Sequence, residues 1–102
     1  MSVLDHLYVR LLHHGLVKLR DLVASGEDRW ALATAEMLHN APSLTGESNE
    51  RRHAYFWRSE RGAYLEWLIS SGNEDAASYT RTFYEPIWRE MEIELGDLLA
   101  RD

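Results

Sequence analysis

The stretch ERRHAYFWRSERGAYLEWLI, residues 50–69, decides the fold. It holds five of the chain's eleven aromatic side chains together with four arginines. Phe56, Trp57, Ala63, Tyr64, Trp67 and Leu68 recur at three- and four-residue steps, the spacing of one helical face. His53 and Glu60 fall in the same arc, two turns apart, so polar groups stand among aromatic ones. A polar group in such a place finds a partner or costs free energy. Glu60 is therefore expected to be at least partly buried and bonded to an arginine, histidine or tyrosine of another segment. Tyr55, Leu65 and Ile69 lie outside the arc, which leaves this helix apolar on more than one side.

Outward from this segment the same periodicity predicts three more helices and no strand, because no run alternates with period two. The expected spans are 3–24, 27–40, 49–71 and 73–100. In the first, Leu4, Leu7, Tyr8, Leu11, Leu12, Gly15, Leu19, Leu22 and Val23 share a broad arc opposite His6, Arg10, His13, His14, Lys18 and Asp21. An arc so wide implies two neighbours rather than one. Ser25-Gly26 is a stop signal, and Asn73 followed by Glu74 and Asp75 is a start signal. The second helix is apolar around most of its circumference and rich in alanine, as a close-packed central element would be, with Arg29 and Glu36 on its one polar edge. In the fourth, the apolar arc of Ala76, Tyr79, Phe83, Tyr84, Ile87, Trp88, Met91 and Leu95 keeps its phase across Pro86, so one kinked helix is expected rather than two. Four amphipathic helices with mostly short connections predict an all-α, single-domain, four-helix up-down bundle, its last helix kinked near Pro86. Residues Pro42–Ser48 form the one long loop, with Leu44 as a candidate lid over the third helix.

Composition agrees with a globular fold: of 102 residues 45% are hydrophobic and 27% charged. No cysteine is present, which removes disulfides, thiolate metal sites and cysteine nucleophiles from consideration and suits a reducing compartment. Asp5, His6 and Arg10 interrupt any apolar core of a secretory signal, and no run approaches the ~18 apolar residues of a membrane span, so a cytoplasmic setting is expected. The net charge is −6, with the acidic excess toward the carboxyl terminus. Such a balance opposes phosphate-backbone binding, and the arginines among aromatics are interleaved with acidic residues, so nucleic acid is not an expected partner.

Two Glu-x-x-His spacings occur, Glu36 with His39 and Glu50 with His53. Three positions along a helix lie near one face, so each pair could ligate a metal, with Glu60 and Glu94 supplying further carboxylates. In that spacing alone the pairs resemble the ligands of ferritin-like di-iron bundles. Glu50, however, occupies a helix start, where an acid is expected anyway, and Glu36 belongs to a solvated edge. No metal or other cofactor is therefore assigned. His6, His13 and His14 lack the spacing of a zinc set and read as a solvated face. No phosphate loop or nucleophile elbow is present, so the sequence favours binding over catalysis. Trp30, Trp57, Trp67 and Trp88 are more tryptophans than a core of this size commonly needs, and Trp, Tyr and Arg dominate protein–protein hot spots. The expected function is that of a small acidic interaction module, a regulator or inhibitor of another protein or a homodimer, with Tyr55, Leu65 and Ile69 as contacts. The alternative is a carboxylate/histidine bundle that binds a metal or small molecule.

Overall fold

Two helix stops and the start of the last helix fall on signals that the sequence itself supplies. The computed structural model describes the backbone of residues 3–39 and 50–96, with side chains from Arg58 onward in the second span. Helix α1 is Val3–Ser25, α2 Asp28–His39 and α3 Glu50–Ser71. Helix α4 has three parts: Glu74–Tyr79, a π-helical turn at Thr80–Tyr84, and Glu85–Glu94. Gly26 takes a left-handed φ of 77°, which lets the Gly26 N–H reach Val23 O and the Glu27 N–H reach Leu22 O. That pair of bonds is a Schellman stop. Gly72, with φ 63°, ends α3 by a single bond from its N–H to Leu68 O. Asn73 then caps α4, its side-chain oxygen accepting the Ala76 N–H at 3.0 Å. Helix starts and stops thus lie within a residue or so of the expected spans; the expected extension of α4 to residue 100 and the Pro42–Ser48 loop with Leu44 lie outside the described residues.

Short connections make α1 with α2, and α3 with α4, antiparallel neighbours, and α1 with α4 and α2 with α3 close the ring. Helix α2 is thus one of four corners, packed on α1 and α3, and not a central element. Its residues divide accordingly: Trp30, Ala31, Ala33, Thr34 and Met37 are buried, whereas Leu32 stands 61% exposed. Gly15 of α1 is what admits α2 so closely. A Cβ at that position would stand 2.8 Å from a terminal methyl of Leu38.

The larger core brings Leu7, Tyr8 and Leu11 of α1 against Met37 of α2, Tyr64 of α3, and Tyr84, Ile87, Trp88 and Met91 of α4. A smaller cluster near the α1–α2 turn gathers Leu22, Trp30, Ala31 and Ala76. Two of the four tryptophans, Trp30 and Trp88, are core residues at 4% and 1% exposure. Among the described residues the large apolar groups left exposed are mainly aliphatic, Leu16, Val23, Leu32, Ile69 and Ile93 most of all.

The last helix is kinked, as its proline predicted, and the π-turn just before Pro86 explains how the core face survives. Ala76, Thr80, Tyr84 and Trp88 are all buried and follow one another at four-residue steps. In a regular α-helix such steps drift about 40° each, so Trp88 would stand roughly 120° away from Ala76. The wider turn, in which the Glu85 N–H reaches Thr80 O, takes up that drift. Pro86, without an N–H of its own, sits in the first turn of the segment that follows.

Candidate functional site

Of the polar centre anticipated at His53 and Glu60, Glu60 is half-buried and the side chain of His53 lies outside the described residues. Among the described residues, buried polar side chains include those of Thr80, Thr34 and three tyrosines, Tyr8, Tyr64 and Tyr84. Thr80 donates its hydroxyl proton to Ala76 O at 2.7 Å, so its oxygen is left to accept from the Tyr64 hydroxyl at 3.4 Å. Burial pushes the Tyr64 phenol up from its ordinary range, against the opposing pull of Thr80. Burial likewise raises Tyr8 and Tyr84 strongly, so these phenols stay neutral. As neutral groups, these phenols can be buried in the core without a counter-charge.

The face of α1 expected to be solvated carries a second aromatic assembly. Tyr79 of α4 donates its hydroxyl to His14 O at 2.7 Å, and the His14 ring lies 4.9 Å from that of Phe83. Lys18 places its ammonium 4.6 Å from the Trp30 ring and 5.0 Å from the Tyr79 ring, a cation–π bracket. Arg10 pairs with Glu90 at 3.5 Å across two half-exposed side chains. These contacts seat α4 on α1, and only His6 and His13 of the histidine set are left exposed.

The most site-like feature is a groove of about 360 Å³ between α2 and α3. Its lining is apolar: Ala33 and Met37 from α2, with Tyr64, Trp67 and the exposed Ala63 from α3. Leu32 stands at its edge, and Arg29, Glu36, Glu60, Ser70 and Ser71 form a polar rim. The cause is a mismatch of sizes. Ala33 and Ala63 are too small to fill the space that Met37, Tyr64 and Trp67 hold open. Because α2 and α3 are antiparallel, the rim is divided by charge. Arg29 with Ser70 and Ser71 lies at one end, and Glu36 with Glu60 lies at the other. Beyond that acidic end the groove runs into an open cleft of about 420 Å³ lined by Ala35, Glu36, His39 and Glu60.

Three of the six metal candidates, Glu36, His39 and Glu60, therefore border one cleft, and the side chain of Glu50 lies outside the described residues. Among the described residues no three histidine, aspartate or glutamate side chains come close enough together to hold a metal ion. Glu60 is half-buried, Glu36 and His39 are exposed, and Glu94 is exposed at the far end of α4, away from the cleft. The side chains of His53 and Tyr55 lie outside the described residues. Leu65 is half-buried and packs on the larger core, so it is only partly available to a partner. Ile69 is 84% exposed. It follows Trp67 by two residues and so points roughly 160° away from the groove, on the opposite flank of α3.

Sequence reasoning named Arg29 and Glu36 as an edge but missed the groove they flank. No family model, curated protein or solved structure matches this chain. Among the described residues no helix is long and apolar enough to cross a membrane.

Proposed function

We propose that this protein is a small acidic interaction module that binds another protein through the α2–α3 groove, as a regulator or inhibitor would. The observation that carries the reading is the apolar lining of Ala33, Met37, Ala63 and Trp67 inside a charged rim. Protein hot spots take this form, an anchor side chain in a desolvated pocket ringed by polar groups. Leu32, more than half exposed at the groove edge, extends the apolar contact. The proposed setting is the cytoplasm, on a cysteine-free sequence.

Affinity capture from the source cell tests this with two baits, the natural chain and Ala63→Trp, which fills the groove from an exposed position. A protein retained in stoichiometric amount by the first and lost with the second is the expected result. Identical captures, or none, would remove the groove from the reading.

A second reading rests on Glu36, His39 and Glu60 bordering one cleft. It makes the groove a site for a small molecule or a metal, and its volume lies in the range of small-ligand pockets. Stoichiometric iron, manganese or zinc in natively purified protein would favour it over protein binding. Self-association belongs to the proposal as well, because α1 presents an exposed apolar row.

A further inference from the structure

The groove distinguishes its two ends, and that says what chemistry its occupant has. Arg29 stands in the first turn of α2 and Glu36 begins its last turn. Both signs are wrong for α2 itself. A helix favours anions at its N-terminus and cations at its C-terminus. Asp28 and His39 obey that preference. The two charged residues of α2 that rim the groove are inverted, so they weaken their own helix while marking the groove's ends. Neither Arg29 nor Glu36 takes part in an ion pair with another of the described residues, unlike Arg10 with Glu90 or Arg89 with Glu85.

We infer, resting on the protein-binding reading above, that the groove takes an amphipathic helical segment of a partner protein. That segment carries one acidic and one basic side chain about two turns apart, flanking its apolar face. The spacing follows from α2: Arg29 and Glu36 are seven residues apart, about 10 Å along the helix. Small alanines on both walls leave room for a third helix to lie along the seam, presenting residues at i, i+3 or i+4, and i+7. The acidic group of the occupant meets Arg29 and the basic group meets Glu36, with Glu60 adding to the acidic end. Exposed pairs of this kind set orientation and partner choice more than affinity.

Selection from a displayed library of helical peptides tests the inference on the folded full chain. Four targets are compared: the natural chain, Arg29→Glu, Glu36→Arg and the groove-filled Ala63→Trp. The natural chain is expected to enrich peptides with an apolar stripe and one acid and one base two turns apart. Arg29→Glu is expected to enrich two bases at those positions, and Glu36→Arg two acids. Each matched peptide should prefer its own target by about fivefold, the scale of one exposed pair. This comparison does not depend on the direction in which the peptide lies.

Failures separate cleanly. Peptides that Ala63→Trp rejects, but whose charges ignore the Arg29→Glu and Glu36→Arg changes, leave the groove as a protein site and overturn the charge pattern. Absence of any peptide that distinguishes the natural chain from Ala63→Trp overturns the protein-binding reading with it. Saturable uptake of a small apolar dye, blocked by Ala63→Trp in the same protein that enriches no peptide, assigns the groove to small ligands and overturns both.

Discussion

Two tyrosines of the same core differ in what their hydroxyls do. Tyr64 joins a short chain of hydrogen bonds through Thr80 to Ala76 O, whereas the Tyr84 hydroxyl, fully buried, has no partner among the described residues. Removing one partner of a buried hydrogen bond costs about 1 kcal/mol and strands the other, while deleting an unpaired buried hydroxyl relieves a desolvation cost. Tyr64→Phe is therefore expected to lower the unfolding free energy by about 1 kcal/mol. Tyr84→Phe should leave it unchanged or raise it. Denaturant midpoints of the two variants decide the matter, and a Tyr84→Phe loss as large as that of Tyr64→Phe would mean its hydroxyl is bonded. His14 supplies a residue-scale pH effect. Burial first, then the charges of His13 and Arg10, hold its imidazole below the ordinary histidine value of 6.5. The unfolded chain therefore binds the proton more readily than the folded one. Stability contributed by this residue is whole above the ordinary value and declines as pH falls below it. His14→Gln is expected to flatten the slope of stability against pH on the acid side of 6.5. An unaltered slope would assign the acid sensitivity to other groups.

At the scale of the element, the π-turn is the feature whose removal should be best tolerated. It places Thr80, Tyr84 and Trp88 on one face by adding a residue to the turn. Deleting Thr82, an exposed member of that turn, restores a regular helix with core positions at steps of four, three and four. The deletion is expected to leave a cooperative folded protein. Deleting Arg89, exposed in the regular segment, rotates every later residue by about 100° and takes Met91 and Leu95 off the core face. Thermal unfolding of both deletions checks this, and a Thr82 deletion as damaging as that of Arg89 would show that the wide turn has another cause. Helix ends were legible in the sequence because capping is local: Gly26, Gly72 and Asn73 act through atoms within five residues. The π-turn was not, because Thr80 is polar and its burial depends on Tyr64 from another helix. The groove was half legible. Arg29 and Glu36 showed as an edge, but the space between Ala33 and Ala63 depends on how two helices face each other, and neither helix's periodicity records that.

For the whole molecule, association is governed by how much apolar surface a single copy leaves in water. Val9, Leu16 and Val23 recur every seven residues along α1 and stand 41%, 55% and 66% exposed. Half-buried Leu12 and Leu19 fill the steps between them. Seven-residue recurrence drifts only about 20° per step, so the five side chains form a continuous seam and not scattered contacts. The seam is centred on Leu16. A two-fold axis crossing there would set Leu16 against its counterpart and Val9 against Val23 of the second copy, an isologous pairing that one row satisfies alone. The rival surface is Ile69 on the outer flank of α3, where it is the one large aliphatic group exposed among the described residues and Leu65 is engaged with the core. For the proposed dimer, Leu16→Glu should therefore lower the mass to that of one chain, while Ile69→Glu should not. Light scattering across a dilution series reads both variants against the natural chain. Dissociation by Ile69→Glu but not by Leu16→Glu would move the interface to α3. A natural chain that stays monomeric at the highest concentration would end self-association and leave the α1 seam, like the groove, to a different protein.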